Sequence, residues 1–194
     1  MNEDKIDDYL KNQINFINSL SNSKEEIIEI HDSLIKTRNS ENKIFLMGNG
    51  GSASTASHFT ADLLKTSIIK NTKRFMAFSL TDNIPVILAW ANDTKYDDIF
   101  VSQLENSLKE GDTVIGFSGS GNSKNVIKAF EYANNSNCIT ISFTGGNGGE
   151  LRKISKYNLN INDHNMLTIE TGHVLICHLL TTLFRSNGKP MFEY

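Results

Sequence analysis

The sequence predicts an α/β fold, a five-stranded parallel sheet flanked by helices on both faces with two leading N-terminal helices. Three observations predict it. Short apolar runs alternate with stretches of helical periodicity from residue 43 onward. Two of those runs end in Gly/Ser/Asn loops, each followed at once by a helix-compatible stretch. The chain also has 13 Gly but only 2 Pro, a balance that suggests close backbone approaches rather than stiff linkers.

The elements follow in order. Residues 4–39 carry two apolar stripes at helical spacing, separated by a polar break at Ser19–Lys24. Ile6, Leu10, Ile14 and Ile17 form the first; Ile27, Ile28, Ile30, Leu34 and Ile35 form the second. These helices either cap the core or form an oligomer surface. Strands are expected at Lys43–Met47, Arg74–Leu80, Asp112–Phe117, Asn137–Phe143 and Tyr157–Ile161. Helices are expected at Ala53–Lys65, 83–91 with Pro85 in the first turn, 97–109, from 124 to about Asn134, Gly149–Ile154 and Thr168–Arg185. No composition shift marks a second domain. The whole of 1–194 is read as one domain, with helices over 1–40 and an αβα core over 41–186.

Composition narrows the partners. Lys+Arg is 19 and Asp+Glu is 22, a net charge of −3, and no basic run occurs. Neither nucleic acid nor an anionic membrane is an expected partner. The N-terminus is acid-rich rather than basic and then apolar, so no leader or span is read there. Cys138 and Cys177 lie far apart in apolar runs, which suits a reducing cytoplasm better than a disulfide framework.

The loops carry the chemistry. Open parallel sheets bind ligands beyond the carboxyl ends of their strands. Gly48-Asn49-Gly50-Gly51-Ser52 and Ser118-Gly119-Ser120-Gly121-Asn122-Ser123 both reach that edge. A helix N-terminus offers unpaired N–H groups and partial positive charge, and the serines add hydroxyl donors. Neither loop has a dinucleotide fingerprint or the lysine of a triphosphate loop. The pair therefore suits a small phosphomonoester. Eight of the 13 glycines, Gly48, Gly50, Gly51, Gly119, Gly121, Gly145, Gly146 and Gly148, fall in such strand-end loops.

Gly48–Ser54, His58-Phe59, Asn92-Asp93, Ser118–Ser123 and Thr144-Gly145 together resemble the sugar isomerase (SIS) family, in particular its phosphoheptose isomerase type. The resemblance runs from about residue 5 to 185. It implies a homotetramer with active sites at subunit contacts and a small phosphosugar substrate. It also implies conversion of sedoheptulose 7-phosphate to D-glycero-D-manno-heptose 7-phosphate. Such an isomerisation moves a proton between C1 and C2 and needs an acid, a base and a means of stabilising an enediolate.

By that resemblance His58, Asp62, Glu170 and His178 hold Zn²⁺. His58 and Asp62 are four apart on one helix, and Glu170 and His178 eight apart on another, so each pair shares a side of its helix. Asp62 and His178 are the expected acid and base, with Glu170 a substitute base. Asn49, Gly50, Gly51, Ser52, Asp93, Ser118, Gly119, Ser120, Ser123 and Glu170 are the expected substrate contacts. His173 is expected to support the metal ligands from behind. Asp62 and Glu170 depart from the usual Glu and Gln of the family, and Gly119 replaces a usual Thr. Lys65, Lys70 and Arg74 are basic residues that can compensate for lost polar contacts. Two other readings stand beside this one: a non-catalytic SIS protein that binds a replication initiator, and an isomerase of another (amino-)sugar phosphate.

Overall fold

The structure is a computed structural model that describes residues 2–193. Helix α1 (Asn2–Ser19) and α2 (Lys24–Asn39), joined by a 3₁₀ turn at Leu20–Ser23, precede β1 (Lys43–Gly48). Then come α3 (Gly51–Ala61), β2 (Met76–Ser79), α4 (Ile84–Asp93), α5 (Val101–Glu105), β3 (Thr113–Ser118) and α6 (Lys124–Asn135). The chain closes with β4 (Ile139–Gly145), α7 (Gly149–Ile154), β5 (Tyr157–Ile161) and α8 (Met166–Ser186).

The sheet order is β2-β1-β3-β4-β5, and every pairing is parallel. β1 leads outward to β2 on one side, and β3, β4 and β5 build out on the other. The reversal falls between β1 and β3, so a crevice opens at their carboxyl ends. Both Gly/Ser loops leave the sheet there.

Successive side chains of each strand serve opposite faces. Ile44 and Leu46 of β1 pack with Ile115, Phe117, Ile141 and Phe143 against α2, α3 and α8. Phe45 and Met47 pack with Val114 against Val126 and Phe130 of α6 and Leu104 of α5. Phe59 of α3 is wholly buried in the first layer, and truncating it to Ala is expected to cost about 3–5 kcal/mol. α8 is long and apolar enough to cross a membrane by length and composition. Its Ile176, Leu180 and Phe184 are instead fully buried in this core.

Two elements differ from expectation. β2 is shorter than 74–80 because it is an edge strand paired only to β1. The helix expected over 97–109 is a 3₁₀ turn at Tyr96–Asp98 followed by the five-residue α5. It ends early because the buried Asp112 carboxylate accepts the backbone N–H groups of Lys109 (2.9 Å) and Lys43 (2.8 Å), turning the chain into β3. On α1 the stripe Ile6, Leu10, Ile14 and Ile17 is exposed, while Gln13 and Phe16 face the core.

Candidate active site

The first loop rises from the end of β1. Gly50 takes a positive φ of 54°, and α3 begins at the next residue. Ser52 is buried. A methyl group at Gly51 would lie 2.4 Å from Glu170 Oε2, so the Glu170 carboxylate of α8 sits directly on the N-terminus of α3. That helix end already faces a negative side chain, which is favourable there.

The second loop is held by backbone closeness and by its own hydroxyls. Ser118 is buried, and its Oγ lies 2.9 Å from Ser123 Oγ. The Asn122 N–H donates to Ser120 Oγ at 3.1 Å. Gly121 has φ of 67°, and a methyl group there would lie 2.0 Å from the Gly148 carbonyl oxygen. Only glycine permits both that dihedral and that approach. The Leu151 N–H donates to the Gly121 carbonyl, and the Glu150 N–H to Asn122 Oδ1, so α7 braces the loop. Gly119 and Ser120 open onto a groove of about 320 Å³ shared with Gly145, Asn147 and Met166.

Asn49 ties the first loop to the start of α6, just beyond the second. Its Nδ2 donates to Asn125 Oδ1 at 3.0 Å, and Asn125 Nδ2 donates back to Asn49 Oδ1 at 2.9 Å. The Tyr96 hydroxyl also donates to Asn49 Oδ1, at 2.8 Å. Tyr96 and the buried Asn125 are site residues that the sequence reading missed. Asn125 follows two residues after the serine loop, a cue that was available; nothing local marked Tyr96.

The third feature is a cluster of metal-ligand type. α3 continues into a π-helical turn at Asp62–Thr66, where the Ser67 N–H donates to the Asp62 carbonyl five residues back. His58, Asp62 and His178 bring one ligand atom each within 4.8 Å of one another. His58 Nε2 and His178 Nε2 are 2.9 Å apart; Asp62 Oδ2 is 3.6 Å from the first and 4.0 Å from the second. Both imidazoles are about half exposed (50% and 52%). Asp62 Oδ2 is buried without a hydrogen-bond partner.

A carboxylate oxygen with no donor, facing two imidazole nitrogens, is an arrangement a shared cation satisfies. Ligands about 2.0–2.1 Å from tetrahedral Zn²⁺ stand roughly 3.3 Å apart, close to the spacings seen. Among the described residues no other such group of three or more acids, histidines or cysteines occurs. The fourth expected ligand, Glu170, is outside this trio; it lines a groove of about 280 Å³ with His58, Gly51, Thr55 and Val174. The largest of these cavities, about 640 Å³, lies instead beside Arg152, Lys156 and Asn160 and includes none of the trio.

Other expectations fare differently. His173 is fully buried against Phe117 and Phe143, with Nε2 3.3 Å from the Thr144 carbonyl oxygen and Nδ1 without a partner. Its ring nitrogens therefore do not support the trio; it is a core histidine. Burial pushes it down to about 4, so it is neutral at pH 7. Burial likewise pushes the Cys138 thiol up to about 11 and Cys177 well above its ordinary value, so neither is a nucleophile at neutral pH. Asp93 is exposed at the end of α4, where its carboxylate accepts from Asn92 Nδ2. Lys65 lies over the Phe192 ring and Arg74 reaches Met191, so both basic residues contact the C-terminal segment.

The chain and its fold have counterparts among known proteins. Residues 8–145 match the SIS domain family. A probable phosphoheptose isomerase of Thermoplasma acidophilum is 40% identical over 159 residues, covering 82% of this chain and 87% of that protein. The phosphoheptose isomerase of Helicobacter pylori is 37% identical over 162 residues, covering 84% of each. Among solved structures, a phosphoheptose isomerase from Neisseria gonorrhoeae superposes with a TM-score of 0.89 at 26% identity, over 96% of this chain and 100% of that one.

Proposed function

Since the chain belongs to the SIS domain family and groups with its phosphoheptose isomerases, which are aldose–ketose isomerases, we propose that it converts sedoheptulose 7-phosphate to D-glycero-D-manno-heptose 7-phosphate. The observation that carries the reading is the meeting of two imidazoles and an unpartnered carboxylate at His58, His178 and Asp62.

The 7-phosphate is held at the serine loop, where Ser118, Ser120 and Ser123 offer hydroxyls and α6 offers its N-terminal N–H groups. Gly50, Gly51, Ser52, Asn49 and Asp93 border the sugar. Asp62 takes the proton from C1 while His178 protonates the C2 oxygen, which leaves the enediol. Asp62, its proton exchanging with solvent, then protonates C2, and His178 removes the proton on the C1 oxygen to form the aldehyde. Glu170, in the same groove as His58, is the carboxylate able to substitute as base. His58, Asp62 and His178 are the residues that would hold Zn²⁺, with Glu170, now lying against Gly51, as the further carboxylate expected there; the ion would polarise the carbonyl and stabilise the enediolate charge.

We further take the chain to act as a homotetramer with sites at subunit contacts. Supporting this are the exposed stripe of α1, the exposed Ile84 and Leu88 of α4, and the half-exposed histidines. The single-domain reading is kept, as is the cytoplasm, where the two free thiols stay reduced. The test is ¹H NMR of sedoheptulose 7-phosphate incubated with protein and Zn²⁺ in D₂O. Appearance of the aldose with solvent deuterium at C2 is expected; an unchanged ketose would refute the proposal.

A further inference from the structure

The orientation of the Asn49 amide is dictated from the backbone outward. The Val126 N–H donates to Asn125 Oδ1 at 3.0 Å, so the oxygen of that buried amide is fixed on the α6 side. Asn125 Oδ1 also accepts from Asn49 Nδ2, and Asn125 Nδ2 donates to Asn49 Oδ1. The two amides thus form a closed pair with one allowed orientation. The Tyr96 hydroxyl occupies the second lone pair of Asn49 Oδ1.

The count of capacities is then complete. Both acceptor sites of Asn49 are used, one Nδ2 hydrogen is used, and one Nδ2 hydrogen remains. Asn49 can offer a ligand only a donor. Tyr96 enters from the 3₁₀ turn at Tyr96–Asp98, which Asp98 anchors through its ion pair with Lys128 of α6. Tyr96 is 54% exposed, so its placement rests on this hydrogen bond and the anchored turn rather than on burial.

We propose that Tyr96 is a positioning residue that sets ligand selectivity by locking Asn49 as a pure hydrogen-bond donor. The site then favours an acceptor oxygen of the phosphosugar at this position over a group that must donate. This rests on the isomerase reading only for the identity of the ligand; the lock itself is independent of it.

The test is Tyr96→Phe, which keeps the ring and deletes the hydroxyl, with two readouts. The Asn49 side-chain amide proton signals, assigned with Asn49→Asp, are expected to shift in Tyr96→Phe without any ligand present. The KM for sedoheptulose 7-phosphate is expected to rise about 3- to 10-fold, the range for one neutral hydrogen bond, with kcat within about twofold. Unchanged amide signals together with an unchanged KM would overturn the proposal, as would a kcat loss with KM constant. If the wild-type protein does not turn the sugar over, the isomerase reading falls. The dissociation constant of that same sugar phosphate, compared between wild type and Tyr96→Phe, then decides the role of Tyr96: a weakened complex supports it, and equal affinity or no binding by either overturns it.

Discussion

The serine loop and the His58–Asp62–His178 trio are built on opposite plans. The loop is self-satisfied: Ser118 pairs with Ser123, Asn122 with Ser120, and α7 closes on Gly121. The trio is only partly satisfied: His58 Nε2 and His178 Nε2 share one hydrogen bond at 2.9 Å, while the buried Asp62 Oδ2 has no donor. A preorganised cradle suits the part of a substrate that does not react. Groups with unfilled capacity suit the part where charge and protons move.

If that contrast is right, damage to the two regions separates cleanly. The largest effect is expected for His178→Ala, with a fall in kcat of roughly 10²–10⁴, typical of a lost general acid–base group. Because His178 is half exposed, the unfolding midpoint in urea is expected to stay near that of the wild type. Gly121→Ala should do the reverse and act on stability. Its methyl group meets the Gly148 carbonyl at a positive φ, so urea unfolding should show a loss of roughly 2–5 kcal/mol.

His173 sharpens the comparison from within α8, the helix that also carries His178. The buried ring titrates at about 4 in the folded chain but at about 6.5 when unfolded. As pH falls through 6.5 the unfolded state takes up the proton first, so stability is lost down to about pH 4 and then levels off. The difference is on the order of 3 kcal/mol. Urea midpoints at pH 7 and 4.5 should drop less for His173→Gln than for wild type. The smallest effect is expected for Ser123→Ala, which removes one hydroxyl from the cradle. KM should rise about 2- to 10-fold with kcat preserved, and steady-state kinetics separates the two.

The sheet was legible because its strands are short apolar runs with glycine at their ends, and because β1 and β3 are buried on both faces. The limits came from tertiary competition. Periodicity over 97–109 cannot reveal that Asp112 will take the Lys109 and Lys43 N–H groups and turn the chain early. The stripe Ile6–Ile17 was correctly read as one helix face, yet it is Phe16 beside it that docks on the core. In the site, the i, i+4 spacing placed His58 with Asp62, and the family resemblance added His178. Spacing alone could not show that Glu170 turns toward Gly51, or that His173, five residues before His178, faces Phe117 and Phe143. Tyr96 was invisible because its partner lies 47 residues away in the sequence.

The central claim is that the trio, with its unpartnered Asp62 oxygen, is completed by a cation and performs the isomerisation. The direct measurement is turnover of sedoheptulose 7-phosphate by metal-stripped protein titrated with Zn²⁺, alongside Asp62→Asn and His58→Ala. The account predicts activity that rises to a plateau at one Zn²⁺ per chain in the wild type, with neither variant recovering it. Full activity in the stripped protein, or equal recovery in both variants, would contradict it.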